Sequence, residues 1–349
     1  MSDPLDPFFR PKTVAVVGVS RVPSKVGNVV FRNFVSSEQF DGEVFPVTRS
    51  SHYVLGREAY PSVSDLPKPA DLVIIATPAA YAPEVLEEAA QQGSRAAIVV
   101  AGGFSEIGGE GTKREIQMKK TVEQYGIRVI GPNCLGVFDA YSGVDTLFLP
   151  PYRLIRPPQG NIAFVSQSGG YGSAILSWCA NLGIGISKFV SFGNRVDVDE
   201  LDLLKYFEHA PKTKTICYYL ESFHRGREWI EEARRIVSKK PIIVLKGGET
   251  EAGAKAALSH TGAVLHSDQV VLFQRIFQQT GIVRARDGTE LFDLARALIY
   301  LPTPRGTGIG VVTNAGGIGV LTADIISNQG LKLAELTSRS LELLDRKLP

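Results

Sequence analysis

His260 stands in Ala256-Ala-Leu-Ser-His-Thr-Gly262, where small residues on both sides leave room for a bulky adduct or for movement of the loop. An imidazole titrates near neutrality, so its neutral form can attack phosphorus at physiological pH. Such a nucleophile needs a carboxylate to fix its tautomer and balance its charge. Glu221 follows the apolar run Thr215–Leu220. That would put it at the C-terminal edge of a sheet, where α/β active sites lie. A capping or core histidine in a loop is the alternative, and His260 taken alone would favour it. His266 is a rival six residues on, but Leu265 and Ser267 give it no comparable setting. His52, His209 and His224 read as surface positions.

Three glycine-rich turns could hold an anion. They are Gly18-Val-Ser-Arg-Val-Pro-Ser-Lys-Val-Gly27, Ser166-Gln-Ser-Gly-Gly170 and Thr313-Asn-Ala-Gly-Gly317, each directly after an apolar run. Unpaired N–H groups point outward at a helix N-terminus, and the helix dipole favours negative charge there. Glycine lets the backbone approach a ligand without a Cβ in the way. Ser20, Arg21, Ser24 and Lys25 in the first turn suit a phosphate-rich ligand with a nucleotide end. That turn lacks GxGxxG, which disfavours an NAD-dependent dehydrogenase. A plain structural turn is the alternative for all three. Repetition of the second and third argues against it, because paired helix N-termini can clamp one phosphate from two sides.

The elements that must carry these residues are visible as short apolar, β-branched runs alternating with helical stretches. Thr13–Gly18, Glu43–Val47, Leu72–Ala76, Ala96–Val100 and Arg128–Ile130 read as strands, with helices near Gly27–Ser36, Ala82–Gln92 and Thr112–Gln124. Buried strands alternating with helices predict a parallel α/β sheet. The proline-rich Pro150-Pro-Tyr-Arg-Leu-Ile-Arg-Pro-Pro158 reads as a linker. A second series follows, with strands at Asn161–Ser166, Ile186–Ser191, Thr215–Leu220 and Pro241–Lys246. After Leu301-Pro-Thr-Pro-Arg-Gly306 a third series opens at Ile309–Thr313. Val165-Ser-Gln-Ser-Gly-Gly-Tyr-Gly172 aligns without gaps on Val312-Thr-Asn-Ala-Gly-Gly-Ile-Gly319, and Asn181 and Gly183 fall on Asn328 and Gly330. Two matching units predict duplicated domains of one fold. The expected domains are therefore 1–150, 159–301 and 305–349, the last cut short unless a neighbour completes it.

The bulk composition excludes several function classes. Of the 349 residues 44% are hydrophobic and 21% charged, and the net charge is +2, an ordinary soluble balance with no basic run interleaved with aromatics. Nucleic-acid binding is not expected. Cys134, Cys179 and Cys217 are far apart and odd in number, with no CxxC pair, so neither a disulfide framework nor a metal site is supported. The start, MSDPLDPFFRPK, lacks the pattern of a signal peptide, and no apolar run approaches the ~20 residues of a membrane span. These features predict a cytoplasmic protein.

Six ordered motifs then resemble one family: Gly131-Pro-Asn-Cys-Leu-Gly136, Ser166-Gln-Ser-Gly-Gly170, Ser191-Phe-Gly-Asn194, Tyr219-Leu-Glu221, Ser259-His-Thr-Gly-Ala263 and Thr313-Asn-Ala-Gly-Gly317. From Asp6 to about Leu333 the chain resembles the α subunit of ADP-forming acetate–CoA ligase, in the superfamily that includes succinyl-CoA synthetase. The resemblance implies an α/β chain: a Rossmann-like CoA-binding domain, then flavodoxin-like (succinyl-CoA synthetase-like) domains, the last one truncated. It implies that His260 is the phosphorylated nucleophile, that Glu221 supports it, and that Ser166, Ser168, Gly169 and Gly170 hold the phosphoryl group. For CoA it implies Gly18, Ser20, Pro23, Lys25 and Gly27, then Pro46, Thr77 and Pro78, with Asn133 where the thiol arrives. The implied reaction interconverts acyl-CoA, ADP and phosphate with acid, ATP and CoA, through acyl phosphate and a phosphohistidine. ADP or ATP and Mg²⁺ would belong to an ATP-grasp β subunit or fused domain, since the chain has no Walker sequence.

The sequence departs from the family pattern in three places. Gly248 is followed by Glu249 where the family usually has arginine, His266 stands where it tends to have glycine, and Thr48-Arg49 replaces asparagine–proline after Pro46. A CoA- or acyl-CoA-binding regulatory module without ligase turnover is the second reading, and a CoA-binding scaffold the third. The intact motif around His260 favours the enzyme.

Overall fold

The computed structural model describes residues 3–250, 252, 253, 255, 275–277, 279–302, 304 and 306–347. His260, His266 and the whole Ser259–Ala263 motif lie outside the described residues.

Continuous apolar runs make the first sheet. It contains β1 (Thr13–Val17), β2 (Glu43–Val47), β5 (Leu72–Ile75), β6 (Ala96–Val99) and β7 (Arg128–Ile130), all parallel, in the order β2-β1-β5-β6-β7. Between β2 and β5, β3 (Tyr53–Val54) and β4 (Arg57–Glu58) form a small antiparallel pair. Every residue of β1, β5 and β6 is buried, as expected of strands covered on both faces. A short helix α1 (Asp6–Phe9) precedes β1, and α2 (Val26–Val35), α3 (Ala82–Gln91) and α4 (Glu110–Tyr125) are the connecting helices. Proline in its first turn opens α3, and α4 stops at Gly126, whose left-handed φ of 70° suits only a residue without a Cβ.

The second sheet contains β8 (Gly136–Asp139), β9 (Gln159–Ser166), β10 (Ile186–Ser191), β11 (Thr215–Leu220), β12 (Ile242–Lys246) and β13 (Val283–Ala285), in the order β13-β12-β11-β9-β10-β8. Its helices are α5 (Gly169–Asn181), α6 (Glu200–His209), α7 (Gly226–Ile236) and α8 (Gly288–Tyr300). Among its described strands only β8 runs antiparallel, against β10. It comes from the stretch before the proline-rich segment, so the chain enters the second sheet earlier than the sequence suggested. Lys188 and Asp139 pair across β10 and β8 at 2.8 Å, both fully buried, with the ammonium 5.5 Å from the Phe9 ring.

One apolar cluster runs through both sheets, joining Phe8, Phe9, Val14 and Ile74 to Val137, Val165 and Val190. Residues 1–299 accordingly form one compact unit. The proline-rich stretch is no loose linker. Leu154 is fully buried, and Arg156 pairs with Asp145 at 2.7 Å while donating to the carbonyls of Leu147, Leu149 and Leu154. Prolines with an anchoring arginine and leucine among them make a clamp.

Residues 300–349 form a second unit, with β14 (Gly308–Ile309), α9 (Gly316–Asn328), β15 (Lys332–Leu333) and α10 (Ser338–Asp345). The strand expected over Ile309–Thr313 is only two residues long and exposed, with one neighbour, β15. The internal repeat is nonetheless reproduced in register: Ile309 faces Leu333 as Ile162 faces Ile186, and α9 begins and ends at the positions equivalent to those of α5.

Candidate functional site

Counting only the main strands, each sheet has its second strand outside its first and its third on the other side. The order therefore reverses between β1 and β5 in one sheet and between β9 and β11 in the other. At such a switch point neighbouring loops part and leave a crevice beyond the strand C-termini. The first two glycine turns lie at these two crevices.

At the first crevice, Gly18 has φ +89°, and a Cβ on it would lie 2.9 Å from the Ala76 carbonyl oxygen. A Cβ on Gly27 would lie 2.3 Å from the Gly18 carbonyl oxygen, so Gly18 lets the turn lie against the end of β5 and Gly27 lets α2 close onto the turn. The Ser20 carbonyl accepts from Asn28 Nδ2 at 2.6 Å, its hydroxyl accepts from the Val22 amide, and Lys25 is the N-cap residue of α2. Arg21 Nε reaches across to Ser51 Oγ at 2.8 Å. Beside the turn is a cavity of about 500 Å³ lined by Gly18, Thr48, Arg49, Thr77, Tyr81 and Glu84, among others. Thr77 lines it, and its Oγ1 is buried with no hydrogen-bond partner among the described residues. Pro23 and Pro78 are exposed, Pro46 is buried inside β2 with its carbonyl taken by the Tyr60 amide, and none of the three lines the cavity.

At the second crevice, Ser168 caps α5, its hydroxyl accepting from the Tyr171 amide at 3.3 Å. Ser166 points inward, its hydroxyl donating to the Ser168 carbonyl at 2.7 Å, so it shapes the turn without lining the cavity. Gln167 ties the turn to the end of β11. Its Oε1 accepts from the amides of Glu221 and Ser222 at 2.8 and 3.1 Å, and its Nε2 donates to Ser222 Oγ at 3.1 Å. Glu221, 4% exposed, accepts from the Tyr219 hydroxyl at 3.1 Å. Lys246 at the end of β12 donates to the carbonyls of Glu221 and Gly247. Burial pushes the Lys246 ammonium down to about 8, against the pull of Glu249 and Glu221. Burial also raises the Tyr219 hydroxyl, helped by the neighbouring Glu221 charge. Glu249, where arginine was expected, pairs with Arg284.

Asn133 arrives from the first sheet. It has φ 58°, follows the cis Gly131–Pro132 bond, and its Nδ2 donates to Asn194 Oδ1 at 3.4 Å. Asn194 in turn donates to Glu106 at 2.6 Å and Glu115 at 2.9 Å. Glu106 stays below its usual range: its burial opposes ionisation, but donors from Gly103, Asn194 and Phe104 outweigh that. A Cβ on Gly193 would lie 2.1 Å from the Pro132 carbonyl oxygen, so the Gly193-Asn194 pair docks where only glycine fits. Asn133, Ser168, Gly169 and Gly170 share one cavity of about 300 Å³. The structure thus unites Asn133 with the second turn and sets Glu221 behind it.

Gln167, Asn194 and Lys246 were not singled out from the sequence. The first two lie inside motifs quoted for their neighbours, and a lysine closing an apolar strand was the available signal for the third. Among the described residues no group of three or more His, Cys, Asp or Glu could hold a metal ion. Among them, too, no helix is long and apolar enough to cross a membrane.

Two sheets of largely parallel strands with like strand order, and a glycine turn at each switch point, define an α/β protein with two crevices at strand C-termini. Residues 12–140 match the profile of the CoA binding domain, and residues 159–298 match that of the succinyl-CoA ligase like flavodoxin domain. The chain is 39% identical over 345 residues to the alpha subunit of ADP-forming acetate–CoA ligase II of Pyrococcus furiosus, covering 99% of this chain and 73% of that one. It is 36% identical to the ADP-forming 4-hydroxybutyrate–CoA ligase of Nitrosopumilus maritimus, across 95% of this chain and 47% of that protein. A solved acetyl-coenzyme A synthetase 1 from Ca. Korarchaeum cryptofilum, in complex with phosphate and ADP, superposes with a TM-score of 0.91 at 37% identity, across 99% of this chain and 73% of that one. The chain belongs to the alpha-subunit family of ADP-forming acetate–CoA ligases, enzymes of acyl-CoA formation.

Proposed function

We propose that this subunit interconverts acyl-CoA, ADP and phosphate with acid, ATP and CoA by way of acyl phosphate and a phosphohistidine at His260. Residues 1–150 hold CoA, 159–301 conduct phosphoryl transfer, and 305–349 begin a further flavodoxin-like domain. The observation that carries the reading is the union of Asn133 with the Ser168–Gly170 turn in one cavity, with Gln167 fastening that turn to Glu221.

The nucleotide end of CoA fits the first crevice, where Gly18 and Gly27 keep the backbone open and Thr77 Oγ1 awaits a partner. Ser20, Lys25 and Arg49 bring hydroxyl and positive charge for phosphates. The thioester reaches Asn133. A phosphate oxygen, held at the N-terminus of α5 by the Gly169 and Gly170 amides, attacks the thioester carbonyl. The C–S bond breaks, CoA leaves as the thiolate, and acyl phosphate remains. The His260 imidazole then attacks phosphorus and the carboxylate leaves. Glu221 holds the charge and tautomer of the histidine, its own position fixed by Gln167 and Tyr219. An ADP oxygen finally takes the phosphoryl group. Alpha subunits of this family imply a β partner, and ADP and Mg²⁺ belong to its ATP-grasp domain.

The test mixes this chain with its β partner, acetyl-CoA, phosphate and ADP-Mg²⁺. ATP forms with the wild type and is lost with His260→Ala. Tight CoA binding without turnover on any acyl-CoA would instead make the chain a regulatory CoA-binding module.

A further inference from the structure

The strand ends opposite the two crevices frame another cavity, of about 330 Å³. Arg10 and Lys12 lead into β1, Asp41 lies just ahead of β2, and Lys212 just ahead of β11. All four therefore stand at strand N-termini, whereas the glycine turns stand at strand C-termini. The floor of the cavity is the buried Lys188–Asp139 pair, where β10 and β8 meet. Both sheets contribute to it.

The charges that line this cavity do not cancel. Four cations, Arg10, Lys12, Lys188 and Lys212, face two carboxylates, Asp41 and Asp139. Asp139 is fully engaged: Oδ2 meets Lys188 Nζ at 2.8 Å, and Oδ1 accepts from the amides of Tyr141 and Ser142 at 2.9 and 3.3 Å. Asp41 meets Lys12 at 3.4 Å in a solvent-exposed pair, which is worth little. Arg10 and Lys212 have no carboxylate within ion-pair distance among the described residues. Lys188 keeps a donor to spare. An ammonium has three hydrogens, and this one, with its side chain 2% exposed, meets Asp139 and lies 5.5 Å from the Phe9 ring. A buried charge is ordinarily supplied with hydrogen-bond partners. The neighbouring cavity shares Arg10 and Lys188 but adds Asp3 and Asp6, so an anion is confined to the first.

The cations come from separate stretches of chain around the space. A carboxylate accepts in its own plane, whereas a phosphate group spreads its oxygens tetrahedrally and carries up to two charges. Phe40 and Tyr141 supply apolar wall beside the cations, the Lys212 ammonium lying 5.1 Å from the Tyr141 ring. We propose that this cavity binds a compact phosphorylated metabolite carrying two or more negative charges, at a site apart from both crevices. Arg10 and Lys212 supply the uncompensated charge, and Lys188 the buried donor at the floor. Because these residues come from both sheets, the ligand ties the seam between them.

The experiment uses the chain assembled with its β partner and saturated with CoA, with pyrophosphate and ribose 5-phosphate as probes. Lysine acetylation by an N-hydroxysuccinimide ester, mapped by mass spectrometry, reads the site residue by residue. Either probe should shield Lys12 and Lys212 while the exposed Lys113 of α4 reacts as before. The concentration that half-protects Lys212 should rise about tenfold in Arg10→Gln, the loss of one hydrogen bond to a charged group. Half-protection of Lys12 should shift by a similar factor in Lys212→Gln, and added salt should weaken shielding in wild type. Malonate, a planar dicarboxylate of similar size, should shield more weakly. Unchanged labelling of Lys12 and Lys212 with both probes at millimolar concentration would overturn the proposal, as would half-protection that moves in neither variant. Malonate shielding as well as pyrophosphate would overturn the assignment to phosphate.

Discussion

Replacing Gln167 by alanine isolates the link between the anion-holding turn and Glu221. The carboxamide is 3% exposed and makes three hydrogen bonds, accepting two backbone amides and donating to a hydroxyl. Alanine leaves the Glu221 and Ser222 amides facing a methyl group inside the protein. A buried donor left unsatisfied costs about 1–3 kcal/mol, so the pair amounts to about 2–6 kcal/mol if no water enters and toward the lower end if one does. Gln167→Glu keeps both acceptor bonds and can accept from the Ser222 hydroxyl, but it buries a second carboxylate beside Glu221 and so should also cost stability, through charge rather than through unsatisfied amides. Urea unfolding of both variants measures this directly, with the change read from the midpoint at constant slope. Because the same bonds position the Glu221 backbone, Gln167→Ala should also lower ATP formation with the β partner while leaving CoA affinity intact. Stability within about 0.5 kcal/mol of wild type, the ordinary range of a neutral surface change, together with full activity, would refute the reasoning.

Other outcomes follow from the same geometry. Gly27→Ala forces a Cβ to 2.3 Å from a backbone oxygen, which should cost about 1–3 kcal/mol as overpacking and weaken CoA binding in calorimetry. Lys188→Met strands the buried Asp139 carboxylate and should cost about 3–5 kcal/mol in unfolding experiments. Adding Asp139→Leu should recover only part, since Asp139 also accepts from the amides of Tyr141 and Ser142. Lys246 is held at about 8 when folded against an ordinary 10.5. Between these values the unfolded chain binds a proton that the folded chain lacks, so this group adds stability as pH rises through the window. The stability of wild type relative to Lys246→Met should therefore climb between pH 8 and 10.5, by on the order of 3 kcal/mol; a flat difference would contradict the burial argument.

The strands of both sheets were legible because a strand buried on both faces has a continuous apolar sequence, as in Leu72–Ile75 and in β12 up to Leu245. The first glycine turn was legible because close approach leaves no room for a side chain at Gly18 and Gly27. The repeat was legible in the spacing of Val165–Gly172 and Val312–Gly319, and strand register reproduces it. Strand order was not, because nothing in a run of valines says which neighbour it will pair with. Hence the crossing of β8 into the second sheet, and with it the shared core, came only from the structure. The segment around Arg156 misled for a related reason: proline content signals irregular backbone but not whether that backbone is packed. Gln167 escaped notice because its role depends on amides more than fifty residues away in sequence. Pro46 and Ser166 show the converse, since each sits in the right stretch of sequence and yet faces the interior.

The central claim is that the phosphoryl group passes through His260. Incubating the chain with its β partner and ATP-Mg²⁺, then mapping phosphorylation by mass spectrometry under alkaline conditions that spare phosphohistidine, tests it directly. The account predicts one phosphoryl group, on His260, discharged by ADP-Mg²⁺ or by acid together with CoA, and slow to form in Glu221→Gln. Phosphorylation that persists in His260→Ala, or turnover without any phosphorylated intermediate, would contradict it.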